Sequence, residues 1–251
     1  MKIDLKPTYN RMSATGRTKG KCRFCGRMMT SGGLIRHLKA CDDRNDAVDK
    51  ANESNGKARE QRLYHLYIKN SYNSAFWLHL ELNGNARLNE LDQYLRSIWL
   101  ECCGHMSQFT LGSNPWGEEI SMNRKIYQTL KTDMEMTHTY DFGSTTQTTI
   151  KVVDARWGKP ATAYPIFLMA RNEMPKPTCY RCNNKAKWLL EDYDSFDGGE
   201  LLCDKHKEEE SGDDVYAEEL LQLVNSPRFG VCGYTGPATD PYKPQAPIGN
   251  Y

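Results

Sequence analysis

Two groups of cysteine and histidine constrain this chain more than any other feature of its sequence. Each group has three cysteines and one histidine, and each begins with two cysteines separated by two residues. Thiolate sulfur and imidazole nitrogen are the ligands of tetrahedral structural zinc sites. The sequence therefore predicts two structural Zn²⁺ ions, with the ligands Cys22, Cys25, His37, Cys41, Cys179, Cys182, Cys203 and His206.

The first group matches a zinc finger with two cysteines, a histidine and a cysteine, spaced Cys22-x2-Cys25-x11-His37-x3-Cys41. His37 and Cys41 are four residues apart, so on a helix they share one face. Leu34 lies three residues before His37, where such a finger places its core leucine. The alternative is that four unrelated residues fall at this spacing by chance.

The second group consists of two pairs, Cys179-x2-Cys182 and Cys203-x2-His206, with twenty residues between them. The intervening segment has to loop out and return, as in a zinc ribbon. Four protein ligands fill the tetrahedron, whereas a catalytic zinc keeps one position open, so we expect a structural site. A redox dithiol formed by Cys179 and Cys182 is the alternative, but it leaves the second pair unexplained.

Three cysteines remain, Cys102, Cys103 and Cys232, and His105 lies beside the first two. A third metal site requires the chain to bring Cys232 close to them. Buried thiols at the end of an apolar helix are the preferred interpretation, because free cysteine is among the most buried residue types. We identify no residue set that indicates a catalytic centre, and we expect the protein not to be an enzyme.

Positive charge is concentrated at the N-terminus, although the net charge of the chain is only +1. Residues 1–41 contain ten Lys or Arg and one acidic residue, Asp4, whereas the rest of the chain is acidic overall. A basic arm on an acidic body favours an anionic partner, and nucleic acid, DNA or RNA, is the commonest. A solubilising tail that contacts nothing is the alternative.

The finger has few side chains that could read a base sequence. If His37 is the seventh residue of its helix, the positions that usually contact bases are Thr30, Gly33 and Arg36. Of these, only Arg36 has a side chain long enough to reach a base edge. We therefore expect phosphate contacts, made by Arg17, Lys19, Lys21, Arg23, Arg27, Arg36 and Lys39. A finger that contacts a protein is the competing interpretation.

The chain divides into a basic tail (1–20), the finger (21–42), a linker (43–61) and a body (62–251) that contains the second zinc site (179–206). The segment 43–61 has almost no large apolar residue, so we expect a solvated helix or a linker that separates the finger from the body. A hydrophobic content of 39% and a charged content of 26% are typical of a globular protein. With no apolar run of membrane-spanning length and no apolar signal peptide, we expect a cytoplasmic protein.

The body opens with two strand-like runs in which apolar residues recur with a period of two. In residues 75–82 one face carries Phe76 and three leucines, and the other carries Trp77, His79 and Glu81. One face should be buried, so His65 and His79 are expected to be half-exposed strand residues. A helix at about 88–102 and strand candidates at 107–111, 137–142, 145–153 and 163–169 follow. The order predicts an α+β domain with a packed helix on a mixed or antiparallel sheet.

Five segments of the body, about 62–240, resemble the plasmid pRiA4b ORF-three-like family, which includes TnpR-type passenger proteins of insertion elements. They read LYHLYIK, LNELDQYLRSIWLECCGHMSQF, YDFGSTTQTTIKVV, LMARNEMPKPTCYRC and LVNSPRFGVCGYTG. The resemblance implies an α+β fold with the two-pair zinc element, and a link to mobile elements. It implies little about activity, and the sequence has no serine-recombinase pattern. The finger lies outside the matched region and looks like an added binding module.

These features predict a non-enzymatic nucleic-acid-binding protein. The basic arm and finger contact phosphates, and the acidic body docks a protein or ribonucleoprotein partner. The alternative is a protein–protein adaptor whose finger contacts the partner.

Overall fold

A computed structural model describes residues 17–54, 56–191, 199–210 and 220–242. Most of the predicted basic tail, residues 1–16, lies outside this range. The main element is a seven-stranded sheet with the order β6-β5-β7-β8-β3-β4-β9, in which every pairing is antiparallel. Its strands are β3 (Gln61–Asn70), β4 (Trp77–Asn83), β5 (Ser107–Leu111), β6 (Glu119–Ile120), β7 (Glu135–Tyr140), β8 (Thr146–Gly158) and β9 (Ile166–Arg171). The predicted α+β class is confirmed.

One face of the sheet packs against the helix predicted at 88–102. Helix α3 spans Leu88–Leu95 and continues as a single π-helical turn at Arg96–Leu100, so it ends two residues earlier than predicted. The apolar positions of the pattern are all fully buried, namely Leu88, Leu91, Leu95, Ile98 and Trp99. They contact Phe76 and the leucines of β4, which form the predicted buried face.

The finger is built from a hairpin and a helix. Strands β1 (Lys19–Lys21) and β2 (Met28–Thr30) pair antiparallel, and α1 (Ser31–Lys39) follows directly. Thr30 caps this helix, because its hydroxyl accepts a hydrogen bond from the Gly33 N–H. Leu34 and Leu38 on the inner side of α1 are fully buried.

The finger covers the second face of the sheet, where the sequence predicted partial exposure. The two buried leucines of α1 pack with Trp77 and with Met169 of β9. Consequently Trp77, His79 and Glu81 are 5% exposed or less, and the expectation of half-exposed histidines is wrong. The period of two predicted for β4 is confirmed. Both faces of the strand are buried, because α3 covers one face and the finger covers the other.

The two buried histidines form a short hydrogen-bonded chain beneath the finger. His79 Nε2 donates to the Ser31 carbonyl at 3.2 Å, which leaves His79 Nδ1 to accept from His65 Nε2 at 2.9 Å. Burial lowers the pKa of His79 to about 4 and lowers the pKa of His65 well below its usual value. Both rings are therefore neutral at pH 7.

The segment between finger and body contains a packed helix. Helix α2 spans Asp42–Glu53 and buries Ala47 and Ala51, so the segment is a helix, as one of the two expectations had it, but one that packs on the body through these alanines. Small side chains let the helix approach closely without a large apolar residue. Arg44 of α2 reaches the buried carboxylate of Glu81 at 3.2 Å, and Arg156 of β8 pairs with the same carboxylate at 2.7 Å.

A smaller three-stranded antiparallel sheet, β11-β10-β12, lies after the main sheet in the chain. Its strands are β10 (Trp188–Leu190), β11 (Glu200–Leu202) and β12 (Leu220–Gln222), and α5 (Asp204–Glu210) follows β11. A short helix, α4, spans Ile126–Thr129, and a 3₁₀ turn spans Val231–Gly233. None of the helices within the described ranges combines the length and apolarity that crossing a membrane requires.

We predict that Gly20→Ala destabilises the protein, because β1 crosses the sheet edge at this residue. A Cβ at Gly20 would overlap the Arg171 carbonyl oxygen and the Trp77 ring. Overpacking of this kind costs on the order of 1–3 kcal/mol. The matched control is Gly32→Ala in α1, where a Cβ meets no atom within 4 Å. Gly32→Ala should raise the free energy of unfolding by about 0.5–1 kcal/mol, because glycine inside a helix is less favourable than alanine. Chemical denaturation measures both variants, and equal effects would contradict the docked position of β1.

We predict that stability falls as the pH drops from about 6.5 towards 4. In this window the unfolded histidines bind protons that the folded His65 and His79 exclude, so protonation favours unfolding. Each should contribute a slope of about 1.4 kcal/mol per pH unit. Denaturation midpoints of the wild type and His79→Gln, compared at pH values where metal content is unchanged, test this. Identical slopes would show that His79 titrates normally in the folded protein.

Candidate metal centres

The structure brings the four ligands predicted in the finger together at the centre of that module. Cys22 follows β1, Cys25 lies in the turn, His37 is the seventh residue of α1 and Cys41 caps α2. Their ligand atoms lie within 4.8 Å of one another, with Cys25 Sγ 3.1 Å from His37 Nε2. Gly26, at a φ of 75°, lets the turn close, and its N–H donates to the Cys22 carbonyl. This group could hold a metal ion.

Burial sets the protonation of the finger thiols. Desolvation raises the pKa of Cys22 to about 11 and also raises the pKa of Cys41. Without a cation these two thiols would be neutral at pH 7, so a bound metal ion has to displace their protons. We infer that acid weakens metal binding here.

The second predicted group also comes together. Cys179 and Cys182 lie in the turn before β10, whereas Cys203 and His206 come from the end of β11 and the first turn of α5. Cys179 Sγ lies 3.3 Å from His206 Nδ1, and Cys182 Sγ lies 3.8 Å from Cys203 Sγ. Strands β10 and β11 pair antiparallel, which is how the intervening segment returns. This group could hold a metal ion as well.

The electrostatics of the second group differ from those of the finger. Burial raises the pKa of Cys179, but backbone N–H groups of Cys203 and Arg181 and a hydrogen bond with His206 outweigh it. The pKa of Cys179 is lowered to about 6. Its thiolate is therefore available at pH 7 before a metal ion binds.

The remaining cysteines are placed differently from the sequence-based expectation. Cys102 is half-buried, but Cys103 and Cys232 are exposed, so the interpretation as buried thiols is wrong for these two. Cys232 lies beside the other two although it is 129 residues from Cys103 in sequence. The Cys102, His105 and Cys232 ligand atoms lie within 4.8 Å of one another. Only the tertiary fold brings them together, and no spacing in the sequence indicated it.

The seven cations predicted to contact nucleic acid are not equivalent. Arg17, Lys19, Lys21, Arg27, Arg36 and Lys39 are exposed. Arg23 is half-buried, pairs with Asp240 at 2.7 Å and lies over the Phe167 ring. Lys39 lies 3.6 Å from the Asp154 carboxylate. Arg23 therefore fixes the finger to the body, and Lys39 is partly neutralised.

Comparisons with known proteins add little. No protein-family model matches the chain, and no curated protein matches it. Among solved structures, the chain is similar to the crystal structure of a protein of unknown function from Methanosarcina mazei Go1, at 18% identity and a TM-score of 0.36. That match covers 42% of this chain and 66% of the other. A TM-score this low assigns neither a fold family nor a function.

We predict that the two groups bind metal independently. Cys22→Ser and Cys203→Ser should each lower the bound metal by one equivalent relative to the wild type, and the double variant by two. Elemental analysis of protein purified under reducing conditions measures this. Cys103→Ser is the control, because this exposed cysteine belongs to neither group, and it should keep the wild-type content. Loss of more than one equivalent in either single variant would contradict two separate centres.

Proposed function

We propose that this chain is a non-enzymatic nucleic-acid-binding protein with two structural Zn²⁺ ions. In this proposal the basic arm and the finger contact the phosphate backbone, and the body docks a protein or ribonucleoprotein partner. The resemblance of the body to the plasmid pRiA4b ORF-three-like family is part of the same proposal and connects the protein with mobile elements.

Zinc is proposed from the chemistry of the donors. Each group offers three thiolates and one imidazole, a set that suits Zn²⁺ better than oxygen-seeking cations such as Mg²⁺ or Ca²⁺. Four protein ligands in each group leave no position for a substrate. The role of both ions in this proposal is therefore to hold the fold.

The observation that carries the proposal is a set of unpaired cations on the outer side of the finger. Within residues 17–41, five exposed cations have neither an ion pair nor a side-chain hydrogen bond: Arg17, Lys19, Lys21, Arg27 and Arg36. No acidic residue occurs between residues 17 and 41. Lys19 and Lys21 project from the same side of β1, while Gly20 between them faces the sheet. Such a surface attracts phosphates.

The finger is poorly equipped to read bases. His37 is the seventh residue of α1, so the reading positions are those expected, Thr30, Gly33 and Arg36. The Thr30 hydroxyl is engaged in capping the helix, and Gly33 has no side chain. One arginine gives little discrimination between sequences, which supports phosphate contacts over sequence-specific recognition.

The position of the apolar surface supports this assignment of roles. The apolar side of α1 faces the chain's own sheet, so the outer surface of the finger carries mainly cations, with Met28 as an exposed large apolar residue. On the body, Met106, Trp116 and Phe142 are exposed large apolar residues, with the Trp116 and Phe142 rings 6.5 Å apart. Adjacent exposed aromatic residues favour a protein contact. This observation supports the body, and not the finger, as the surface for a protein partner.

We predict that nucleic-acid binding is salt-dependent with a modest slope. Phosphate contacts by these five cations give a slope of log K against log salt of about −4 to −5 for duplex DNA. Affinity should then fall by roughly 10²–10³ between 50 and 200 mM salt. Fluorescence anisotropy with labelled duplex DNA, single-stranded DNA and structured RNA measures it. Failure to bind any of the three at 50 mM salt would overturn the proposal and favour the adaptor.

The double variant Lys19→Gln/Lys21→Gln should reduce the magnitude of the slope by about two, because it removes two phosphate contacts. The matched control is Lys176→Gln/Lys185→Gln, which removes two exposed charges from the body. It should leave the slope unchanged. If both pairs have the same effect, the attraction comes from net charge and not from the finger surface.

A further inference from the structure

Cys102, His105 and Cys232 form a third ligand group on the surface of the body, formed by two loops. Cys102 and His105 lie in the loop between the π-helical turn and β5, and Cys232 lies in the 3₁₀ turn Val231–Gly233. Cys232 Sγ lies 3.7 Å from His105 Nε2. We propose that these three residues bind a third metal ion, zinc by the chemistry of its ligands, whose fourth position is open to solvent.

The distances match those of the two groups predicted from sequence. Zinc bonds of about 2.3 Å to sulfur and 2.0–2.1 Å to nitrogen place tetrahedral ligand atoms roughly 3.5–3.8 Å apart. The separation between Cys232 and His105 falls in this range. Ligand atoms of the finger and of the second group lie 3.1–3.8 Å apart where they contact each other. The ligand atoms of all three groups also meet the same limit of 4.8 Å from one another.

The backbone on both sides of this group is held in unusual conformations. Cys232 has a φ of 51°, in the left-handed region that a non-glycine residue rarely adopts. Gly104, between the ligand-bearing positions of the first loop, has a φ of 81°. Backbone strain of order 1–3 kcal/mol persists where the surrounding structure enforces it, and it is concentrated at functional sites. At Cys232 this strain accompanies the approach of its Sγ to His105 Nε2, whereas Gly104 adopts its positive φ without strain.

A buried arginine supports the sulfur ligands from behind. Arg228 is fully buried, and its Nε donates to Cys102 Sγ at 3.3 Å while its Nη2 lies 3.6 Å from Cys232 Sγ. Asp141 anchors the same guanidinium at 2.6 Å and lies 3.4 Å from His105 Nε2. Buried charges need partners of opposite sign. The charges of Zn²⁺, two thiolates, Asp141 and Arg228 cancel, so a bound divalent cation leaves the group without net charge.

Cys103 distinguishes this group from a closed site. Its Sγ lies 3.6 Å from Cys102 Sγ and 3.0 Å from His105 Nε2. It does not belong to the set of atoms that all lie within 4.8 Å of one another, and its side chain is exposed. Three protein ligands then leave one position for water or a small anion. Catalytic zinc sites have this arrangement, whereas structural sites have four protein ligands.

Elemental analysis of the full-length protein, purified under reducing conditions, tests the proposal. The wild type should contain three equivalents of zinc, Cys232→Ser two, and Cys103→Ser three. Because Cys232 is exposed, its serine variant should fold, and retention of the other two ions verifies this. Two equivalents in the wild type would overturn the third site. Loss of the third ion in Cys103→Ser would show a closed site with four ligands and would overturn the open position.

Cobalt substitution tests the open position separately. Tetrahedral Co²⁺ has visible absorption bands that change when an external ligand binds. Added azide should change these bands in the wild type and in Cys103→Ser but not in Cys232→Ser, where only the two closed sites remain. No change in the wild type would overturn the open position.

Discussion

The packing of the finger on the second face of the sheet is the interaction on which the rest of this structure depends. Leu34 and Leu38 of α1 bury the outer face of β4, including Trp77. Fully burying a large apolar side chain contributes roughly 1.5–3 kcal/mol relative to exposure. The finger is therefore a layer of the fold, and its Cys/His group lies within that layer. This position also decides which cations remain free, because Arg23 and Lys39 face the body and the others face outward.

The three Cys/His groups differ in ways that follow from their position. The finger group is integrated with the core, since Cys22 packs with Trp77 and burial raises the pKa of its thiol. The second group joins the turn before β10 to α5, and Cys179 and Cys203 pack with Leu202 in a small separate cluster. The third lies between two surface loops above a buried arginine, and one side of it faces solvent. Burial and complete coordination suit structural roles, whereas exposure and an open position suit the binding of a small ligand.

Much of the fold could be predicted from local patterns. The period of two in β4 and the helical spacing of Leu88, Leu91 and Leu95 identified their elements, because these patterns record burial directly. The two groups of four Cys and His residues could be predicted since each pair is close in sequence. The burial of His79 could not be predicted from the sequence. The alternation shows that β4 has two different faces, but it does not show that the finger covers the second face. Ala47 and Ala51 gave no signal either, as alanine occurs in exposed and buried helices alike. Cys232 joins His105 only through the tertiary fold.

The most direct test is hydrogen exchange on the metal-loaded wild type and on Cys22→Ser/Cys25→Ser, which removes the finger metal ion. If the finger is a layer of the core, amides of α2 and of the edge strand β9 should lose protection in the variant. The free energy of unfolding should fall by on the order of 3 kcal/mol or more, because the face around Trp77 is uncovered. Unchanged protection outside residues 17–41, with an unchanged stability of the body, would show that the finger is an independent module and would contradict this account.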